Sequence, residues 1–274
     1  MKKLLCRALF AFSLPFLSQT ASAVVLLTDN FTVTSNSQNV NQELAGRQGG
    51  TMAPLTYTSS VNNHHQVGNA ATDVGQPGGA PNSNFVLLAT NGWFRSDMDV
   101  GGSAIGPLTI GFDMYVRGTN PGGGAADRWA AFTLRADSDG WPIAGAGEFG
   151  FLIRGNGGMQ VFQNGASINP VGWDTLNFAL ADQWTLTFTN TAGTGSAFNG
   201  TGSQVTLMNG SATIGTLPLA QLNSSGLKLG FRNYENRYAG IDNLSVSTVP
   251  EPAAALLVPA AFGLMTLRRR KREV

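Results

Sequence analysis

Residues 148–154 read Glu-Phe-Gly-Phe-Leu-Ile-Arg, and a Gly-Asn-Gly-Gly sequence follows them. If this stretch is extended, Phe149, Phe151 and Ile153 point to one face, and the residues between them point to the other. The glycines and the asparagine suit a tight turn, after which residues 159–163 return as a second apolar strand. This order of strand, turn and strand predicts a hairpin in an antiparallel β-sheet.

The same pattern recurs on both sides of this hairpin. Residues 184–189 alternate Trp, Leu and Phe with three threonines, which predicts one buried and one solvent-facing side. Residues 205–214 form another candidate hairpin, and residues 227–232 and 241–247 are predicted to be the closing strands. The hairpin-turn dipeptide Asn-Gly occurs at 91–92, 156–157, 164–165, 199–200 and 209–210. About eight or more short strands predict an all-β sandwich or barrel.

The N-terminus has the three parts of a secretory signal peptide in order. These parts are the basic residues Lys2, Lys3 and Arg7, the mostly apolar residues 4–17, and the small-x-small site Ala21-Ser22-Ala23. The apolar part is too short for a permanent anchor, and the cleavage site with Ala21 and Ala23 argues for removal. We expect residues 1–23 to be a signal helix that engages the Sec translocon and signal peptidase.

The C-terminus, residues 249–274, also reads as a targeting segment. It contains Pro250-Glu251-Pro252, then 15 apolar residues (253–267), then Arg268-Arg269-Arg270-Lys271-Arg272. As a helix, the apolar run would be about 22 Å long, whereas the hydrocarbon core of a bilayer is about 30 Å thick. The basic end would stay on the cytoplasmic side, so the rest of the chain would lie outside. A short hydrophobic helix of this kind suits temporary retention better than permanent anchoring.

This order of parts resembles the PEP-CTERM sorting signal, which has a Pro-Glu-Pro motif, a hydrophobic segment and an arginine-rich end. In this chain Pro250, Glu251 and Pro252 match the motif, and Arg268, Arg269 and Arg270 begin the basic end. The resemblance implies an exosortase-type membrane peptidase as partner and transient anchoring in the inner membrane. It also implies a final place at the cell surface or outside a Gram-negative cell that makes extracellular polysaccharide. An ordinary tail anchor is the alternative.

Charge and cysteine content exclude several functions for the predicted domain, residues 24–248. Of 17 basic residues in the chain, eight lie in the two ends, so the middle has nine basic and 14 acidic residues, a net charge of −5. Binding to nucleic acid needs clustered positive charge, so we do not expect a nucleic-acid partner. The sole cysteine, Cys6, lies in the signal peptide, which excludes disulfides and thiolate metal sites from the mature chain.

The predicted domain resembles the laminin-G or concanavalin-like jelly roll that often precedes PEP-CTERM tails. The residues that carry this resemblance are Asp29-Asn30-Phe31, Gly147–Arg154 and Gly240–Val246. It implies an all-β jelly-roll sandwich, flanked here by the signal helix and the short C-terminal helix. Members of such families often bind carbohydrate or act in adhesion, and some relatives cleave glycans. Fold alone does not fix the activity.

A glycan hydrolase of this fold would need two carboxyl groups that face each other across the sugar. Glycan-cleaving relatives carry closely spaced acids on one strand, in a Glu-x-Asp-x-x-Glu pattern. Glu148 is alone on its strand, and Phe, Gly, Phe and Leu follow it. We therefore assign no catalytic residue and expect a structural role for Glu148 at the end of its strand.

Calcium is the one cofactor for which the sequence offers candidates. Asp137 and Asp139 lie in an Asp-Ser-Asp-Gly sequence, although Trp141 follows where a calcium loop needs a ligand. An Asp-Gly turn is the alternative. Asp29 and Asp242 are a second pair, because the first and last strands of such sandwiches are often neighbours. Their alternative role is to cap turns through side-chain hydrogen bonds.

Three of the five tryptophans, Trp93, Trp141 and Trp173, lie beside Gly, Asp or Pro in turn-like sequences. An exposed tryptophan can stack on a sugar ring, so these three are candidate ligand-binding residues. Packing at the rim of the core is the alternative for each of them. The leading hypothesis is an exported, non-enzymatic surface or matrix protein that contacts extracellular polysaccharide or another envelope component. A glycan hydrolase and a purely structural matrix protein are the alternatives.

Overall fold

The computed structural model describes residues 23–31, 48–49, 55–59, 66–69, 84–88, 91–101, 106–116, 129–136, 141–143, 145–174, 183–191, 197–198, 200–234 and 239–248. All of these residues fall within one unit, Ala23–Glu251. The signal peptide, the sorting tail and their flanking helices lie outside the described residues, so they stay predictions. Among the described residues, none forms a helix with the length and apolarity needed to span a membrane.

The described residues form β-strands connected by turns. In chain order the strands are β1 (Val24–Asp29), β2 (Gln48–Gly49), β3 (Leu55–Ser59), β4 (Gln66–Asn69), β5 (Asn84–Leu88), β6 (Trp93–Asp99), β7 (Leu108–Val116), β8 (Trp129–Arg135), β9 (Phe149–Arg154), β10 (Met159–Gln163), β11 (Ala166–Ser167), β12 (Gln183–Asn190), β13 (Ser203–Asn209), β14 (Ala212–Pro218), β15 (Lys228–Tyr234) and β16 (Ala239–Thr248). The predicted all-β class is confirmed.

The strands form two eight-stranded sheets in which every pairing is antiparallel. The first sheet has the order β14-β13-β12-β7-β16-β5-β4, with β1 also paired to β16. The second sheet has the order β11-β10-β9-β8-β15-β6-β3-β2. The two strands predicted to close the fold, β15 and β16, are central strands, one in each sheet. Each of them therefore pairs with a neighbouring strand on both sides.

Aromatic side chains from the two sheets pack against each other and form the core. Phe112 on β7 stacks on Phe132 on β8 with ring centroids 5.0 Å apart. Phe151 on β9 lies 4.8 Å from Trp184 on β12, and Trp184 is fully buried. Each such side chain contributes about 1.5–3 kcal/mol by leaving water. These contacts confirm the predicted two-layer jelly-roll sandwich and the predicted inward face of residues 149–153.

The turns follow from the residues that occupy them. Asn164 and Gly165 have φ angles of 52° and 76° between β10 and β11, the left-handed conformation that Asn and Gly adopt most readily. Asn91 has a φ angle of 56° just before β6. The Asn-Gly dipeptides therefore mark turns at these two places, as predicted.

Candidate functional site

The outer face of the second sheet, which points away from the core, carries an unusual set of side chains. Trp129 on β8 lies opposite Tyr234 on β15 and opposite Arg154 on β9. One row along, Arg232 on β15 lies opposite Trp93 on β6. Residues directly opposite each other in a sheet share a face, so these side chains form two neighbouring rows.

Three aromatic rings on this face belong to a second, smaller hydrophobic cluster, which also contains the buried residues Ala131, Leu152 and Phe162. Trp129 and Tyr234 stack with centroids 5.1 Å apart and an angle of 7° between the rings. Trp141, which precedes β9 in the chain, meets Trp129 edge to face at 5.4 Å and Tyr234 at 5.9 Å. Trp129 is 7% exposed, whereas Trp141 and Tyr234 are only partly buried. The cluster therefore keeps part of its aromatic surface in contact with solvent.

The segment that carries Trp141 is held down on the sheet at two points. The carbonyl of Pro142 lies so close above Gly150 that a side chain at position 150 would collide with it. A guanidinium nitrogen of Arg135 donates a hydrogen bond of 2.5 Å to the carbonyl oxygen of Trp141. Glycine at position 150 and arginine at position 135 are thus the reason that Trp141 lies over the sheet.

Glu148 also helps to fix the position of the segment that carries Trp141. Its two carboxylate oxygens accept hydrogen bonds from the backbone amides of Ala136 (2.9 Å) and Gly145 (2.8 Å). Its carboxylate also lies 3.2 Å from Nε of Arg135. Because these donors already occupy a buried carboxylate, the structural role predicted for Glu148 agrees with the geometry.

The positive charge of the described residues also collects on this face. Every described lysine and arginine belongs to the second sheet, and each alternates along its strand with core residues, so each points outward: Arg95, Arg135, Arg154, Lys228 and Arg232. The guanidinium carbon of Arg232 lies 4.9 Å from the centre of the Trp141 ring, within reach of a cation–π interaction. We call Trp93, Trp129, Trp141, Arg154, Arg232 and Tyr234 the aromatic–basic face.

The three predicted tryptophans do not lie together. Trp93 and Trp141 both belong to the aromatic–basic face. Trp173 is 8% exposed and lies in the main core, where its ring packs against Gly215 of β14. Sequence reasoning missed Trp129, Arg232 and Tyr234. Alternation along β8 is weak because most residues on both of its faces are apolar. The sequence pattern therefore does not distinguish the outward residues of this strand.

A second group of residues surrounds the bulge in β16. Asp242 lies opposite Asp113 on β7, and Asp29 on β1 lies opposite Leu244. Asp29 and Asp242 are therefore close, as predicted for the first and last strands. Burial raises the pKa of Asp242 to about 6, with smaller contributions from Asp113 and Asp29, although a hydrogen bond from the Asn243 amide lowers it.

These carboxylates are already engaged by hydrogen-bond donors. Asp29 accepts bonds of 2.7 Å from the amide of Phe31 and from the hydroxyl of Tyr57. Asp113 accepts one of 2.7 Å from the side-chain amide of Asn243. In the parts of the chain that the structure covers, no three His, Cys, Asp or Glu side chains are grouped as metal ligands. The hydrogen bonds agree with the turn-capping alternative, calcium binding at Asp29 and Asp242 stays a prediction, and Asp137 and Asp139 lie outside the described residues.

Comparison with known proteins gives likenesses of fold only. No protein-family model matches the chain, and no curated protein matches it. Among solved structures, peanut lectin is 11% identical, with 83% of this chain and 98% of that chain covered and a TM-score of 0.44. The Emp46p carbohydrate recognition domain is 11% identical over 69% of this chain and 87% of that chain, with a TM-score of 0.43. A sialidase is 10% identical over 61% of this chain, with a TM-score of 0.38, and the chain spans only 15% of its length.

Proposed function

We propose that this chain is an exported, non-enzymatic protein that contacts extracellular polysaccharide through the aromatic–basic face. The observation that carries the proposal is the partly exposed cluster of Trp129, Trp141 and Tyr234 on the outer face of a sheet. Most outward faces of a sandwich are polar because solvent covers them. Aromatic rings with one apolar side and a polar edge are suited to stacking on sugar rings.

In this proposal, the two ends of the chain direct its export and sorting. Residues 1–23 would direct export through the Sec translocon and be removed by signal peptidase. The PEP-CTERM-like tail, residues 249–274, would hold the chain transiently in the inner membrane. An exosortase-type peptidase would then release it to the cell surface or the extracellular matrix. Deleting Pro250–Pro252 and following the mature C-terminus by mass spectrometry tests this part, and an unchanged processed end would contradict it.

A glycan array tests the binding proposal with the exported chain. The parent should bind at least one neutral or acidic polysaccharide, and Trp141→Ala should weaken that binding about tenfold or more, because it removes the ring that projects over the sheet. Thr206→Ala, on the outer face of the first sheet, is the matched control and should bind like the parent. Equal binding by both variants would contradict a role for the aromatic–basic face. No binding to any polysaccharide would favour the purely structural alternative.

The hydrolase alternative has its own test. A hydrolase would cleave the polysaccharide that it binds, and Glu148→Gln would abolish that cleavage. We expect no cleavage by the parent. We expect Glu148→Gln to weaken binding instead, because its carboxylate fastens the segment that carries Trp141 through the Ala136 and Gly145 amides. Reducing ends released by the parent but not by the variant would establish the hydrolase.

A further inference from the structure

The first strand of the sandwich, β1, is attached to its sheet along one side. It pairs with residues 244–248 at the end of β16 and, among the described strands, with no other. β16 is a central strand that pairs with β7 on one side and with β5 and β1 on the other. Val24, the first residue of β1, directly follows the predicted signal cleavage site. Removal of residues 1–23 would therefore give β1 a free end, and β1 can leave the sheet without separating any other pair of described strands.

Two features of β1 lower the cost of separating it from β16. Val24 and Val25 are 42% and 41% exposed, and the register with β16 shifts within the strand. Burial is the main cause of the raised pKa of Asp242 on β16, and repulsion from Asp113 and from Asp29 on β1 adds to it. The described strands of the first sheet carry no lysine or arginine that would offset these charges.

The inner end of β1 fills an apolar slot between the two sheets. Leu27 is buried, and Phe31, just after the strand, lies 5.9 Å from the ring of Tyr57 and 6.0 Å from that of Phe94, both on the second sheet. Asp29 accepts a 2.7 Å hydrogen bond from the hydroxyl of Tyr57. A copy whose β1 has left exposes this slot to water, so refilling the slot is favoured. The spacing of Leu27, Asp29 and Phe31 selects the same segment of a second copy as the strand that refills it.

The connection from β1 to the next strand is long enough to reach another molecule. Sixteen residues, 32–47, separate Phe31 from Gln48 at the start of β2. Fully extended, a chain of this length spans at most about 55 Å. A flexible tether of this kind holds its end at an effective concentration of about millimolar. Chains packed together at a similar concentration therefore compete with the tethered strand for the same slot.

We infer that β1 of one copy pairs with β16 of a second copy, so that the exported chain assembles by strand exchange. Exchange of an identical element is a low-cost way to form dimers, because the contacts of the single chain are made again between copies. Each copy gives one strand and accepts one, so both closed dimers and longer chains can form. The inference goes beyond polysaccharide binding and takes from the proposed function the removal of residues 1–23.

Disulfide trapping between two different chains tests the exchange. The mature chain has no cysteine, because Cys6 lies in the signal peptide. Thr28 on β1 lies directly opposite Ser245 on β16, close enough for a disulfide. Thr28→Cys chains are mixed with Ser245→Cys chains and oxidised, and mass spectrometry identifies the linked peptides. Thr187→Cys mixed with Thr206→Cys is the control, because these residues are also directly opposite but lie on β12 and β13, inside the sheet. The disulfide between positions 28 and 245 should reach at least about ten times the control level and should rise with protein concentration.

A variant that carries both Thr28→Cys and Ser245→Cys provides the second measurement. Its disulfide locks β1 onto its own chain, so the oxidised variant should stay monomeric in light scattering at concentrations where the parent assembles, and reduction should restore assembly. A mixed disulfide at or below the control level would overturn the inference. So would assembly that persists in the locked variant, which would indicate association through sheet edges or faces instead. Val25 and Ser247, another directly opposite pair, replace the first pair if unfolding temperatures show that it disturbs the fold.

These outcomes are distinct from those that test the proposed function. The intact mass of the exported chain shows whether residues 1–23 have been removed, and a chain that keeps them contradicts the proposed export whatever β1 does. The glycan array reports on the aromatic–basic face, which lies on the other sheet. Polysaccharide binding without any mixed disulfide would therefore overturn strand exchange alone.

Discussion

The outer faces of the two sheets have opposite characters, although both sheets contribute aromatic rings to one core. On the first sheet, β12 and β13 present Thr185, Thr187 and Thr206 to solvent, and the hydroxyl of Thr206 lies 2.9 Å from that of Thr216. On the second sheet, the outward face of β8 and β15 holds Trp129 and Tyr234, which lie opposite each other. The first face is an ordinary polar surface, whereas the second is a small hydrophobic cluster bordered by arginines.

This difference suggests that the second face is under a constraint beyond stability. Threonine fits a solvent-facing strand well, and the first sheet uses it. The second sheet instead exposes parts of large rings, and it needs the segment at Trp141 and Pro142 to cover Trp129. That segment depends on Gly150, Arg135 and Glu148. These supporting contacts around a partly exposed cluster agree with the proposed role in ligand binding.

The largest effect should come from the core that the sheets share. Phe231 is fully buried and contacts Phe94, Phe112 and Phe132 at centroid distances of 5.1–5.5 Å. Phe231→Ala should lower the free energy of unfolding by about 3–5 kcal/mol through lost burial and a cavity. Urea denaturation measures this change. A loss below about 1 kcal/mol would mean that the sheets do not depend on this contact.

The next largest effect should separate the aromatic–basic face from the core. In Gly150→Ala the added methyl group collides with the carbonyl of Pro142, which is backbone and cannot swing away. Displacing this segment should cost about 1–3 kcal/mol and should weaken glycan binding as much as Trp141→Ala does. Urea denaturation and the glycan array measure the two effects. A Gly150→Ala chain with unchanged stability and binding would show that the segment does not need to lie on the sheet.

The sequence predicted the inside of this molecule better than its outside. Alternation identifies the inward residues 149, 151 and 153 because large apolar residues recur at every second position there, between Glu148 and Arg154, and it placed Trp184 in the core. The position of Trp141 depends on the close approach of Pro142 to Gly150 and on a hydrogen bond from Arg135. Neither contact appears as a periodic pattern in the sequence, so alternation does not predict it. Trp173 is the opposite case. It lies in a turn-like sequence beside a glycine, yet its side chain packs in the core against Gly215.

A smaller effect should appear on the first sheet as the pH changes. Asp242 has a pKa of about 6 in the folded chain and 3.8 as its ordinary value. Between these values the folded chain binds more protons than the unfolded chain, so stability should fall as the pH rises through this window. After allowance for solvent screening, we expect a loss of about 1–2 kcal/mol. Urea denaturation at about pH 4 and about pH 7 measures it.

Asp242→Asn provides the control for this prediction because it keeps the shape of the side chain and removes the titration. The variant should lose that part of the pH dependence and gain stability near neutral pH, where the charged, buried carboxylate lies close to Asp113 and Asp29. Identical pH profiles for the parent and the variant would show that another group titrates in this window.

The smallest effect should come from the polar outer face itself. Thr206→Ala removes one exposed hydroxyl pair with Thr216 and buries nothing new, so unfolding should change by no more than about 0.5 kcal/mol. Urea denaturation and the glycan array should both give parent-like values. A clear loss of glycan binding in Thr206→Ala would reverse the comparison. The flat threonine face of the first sheet would then be the contact surface, and the aromatic cluster would serve only to hold its own segment in place.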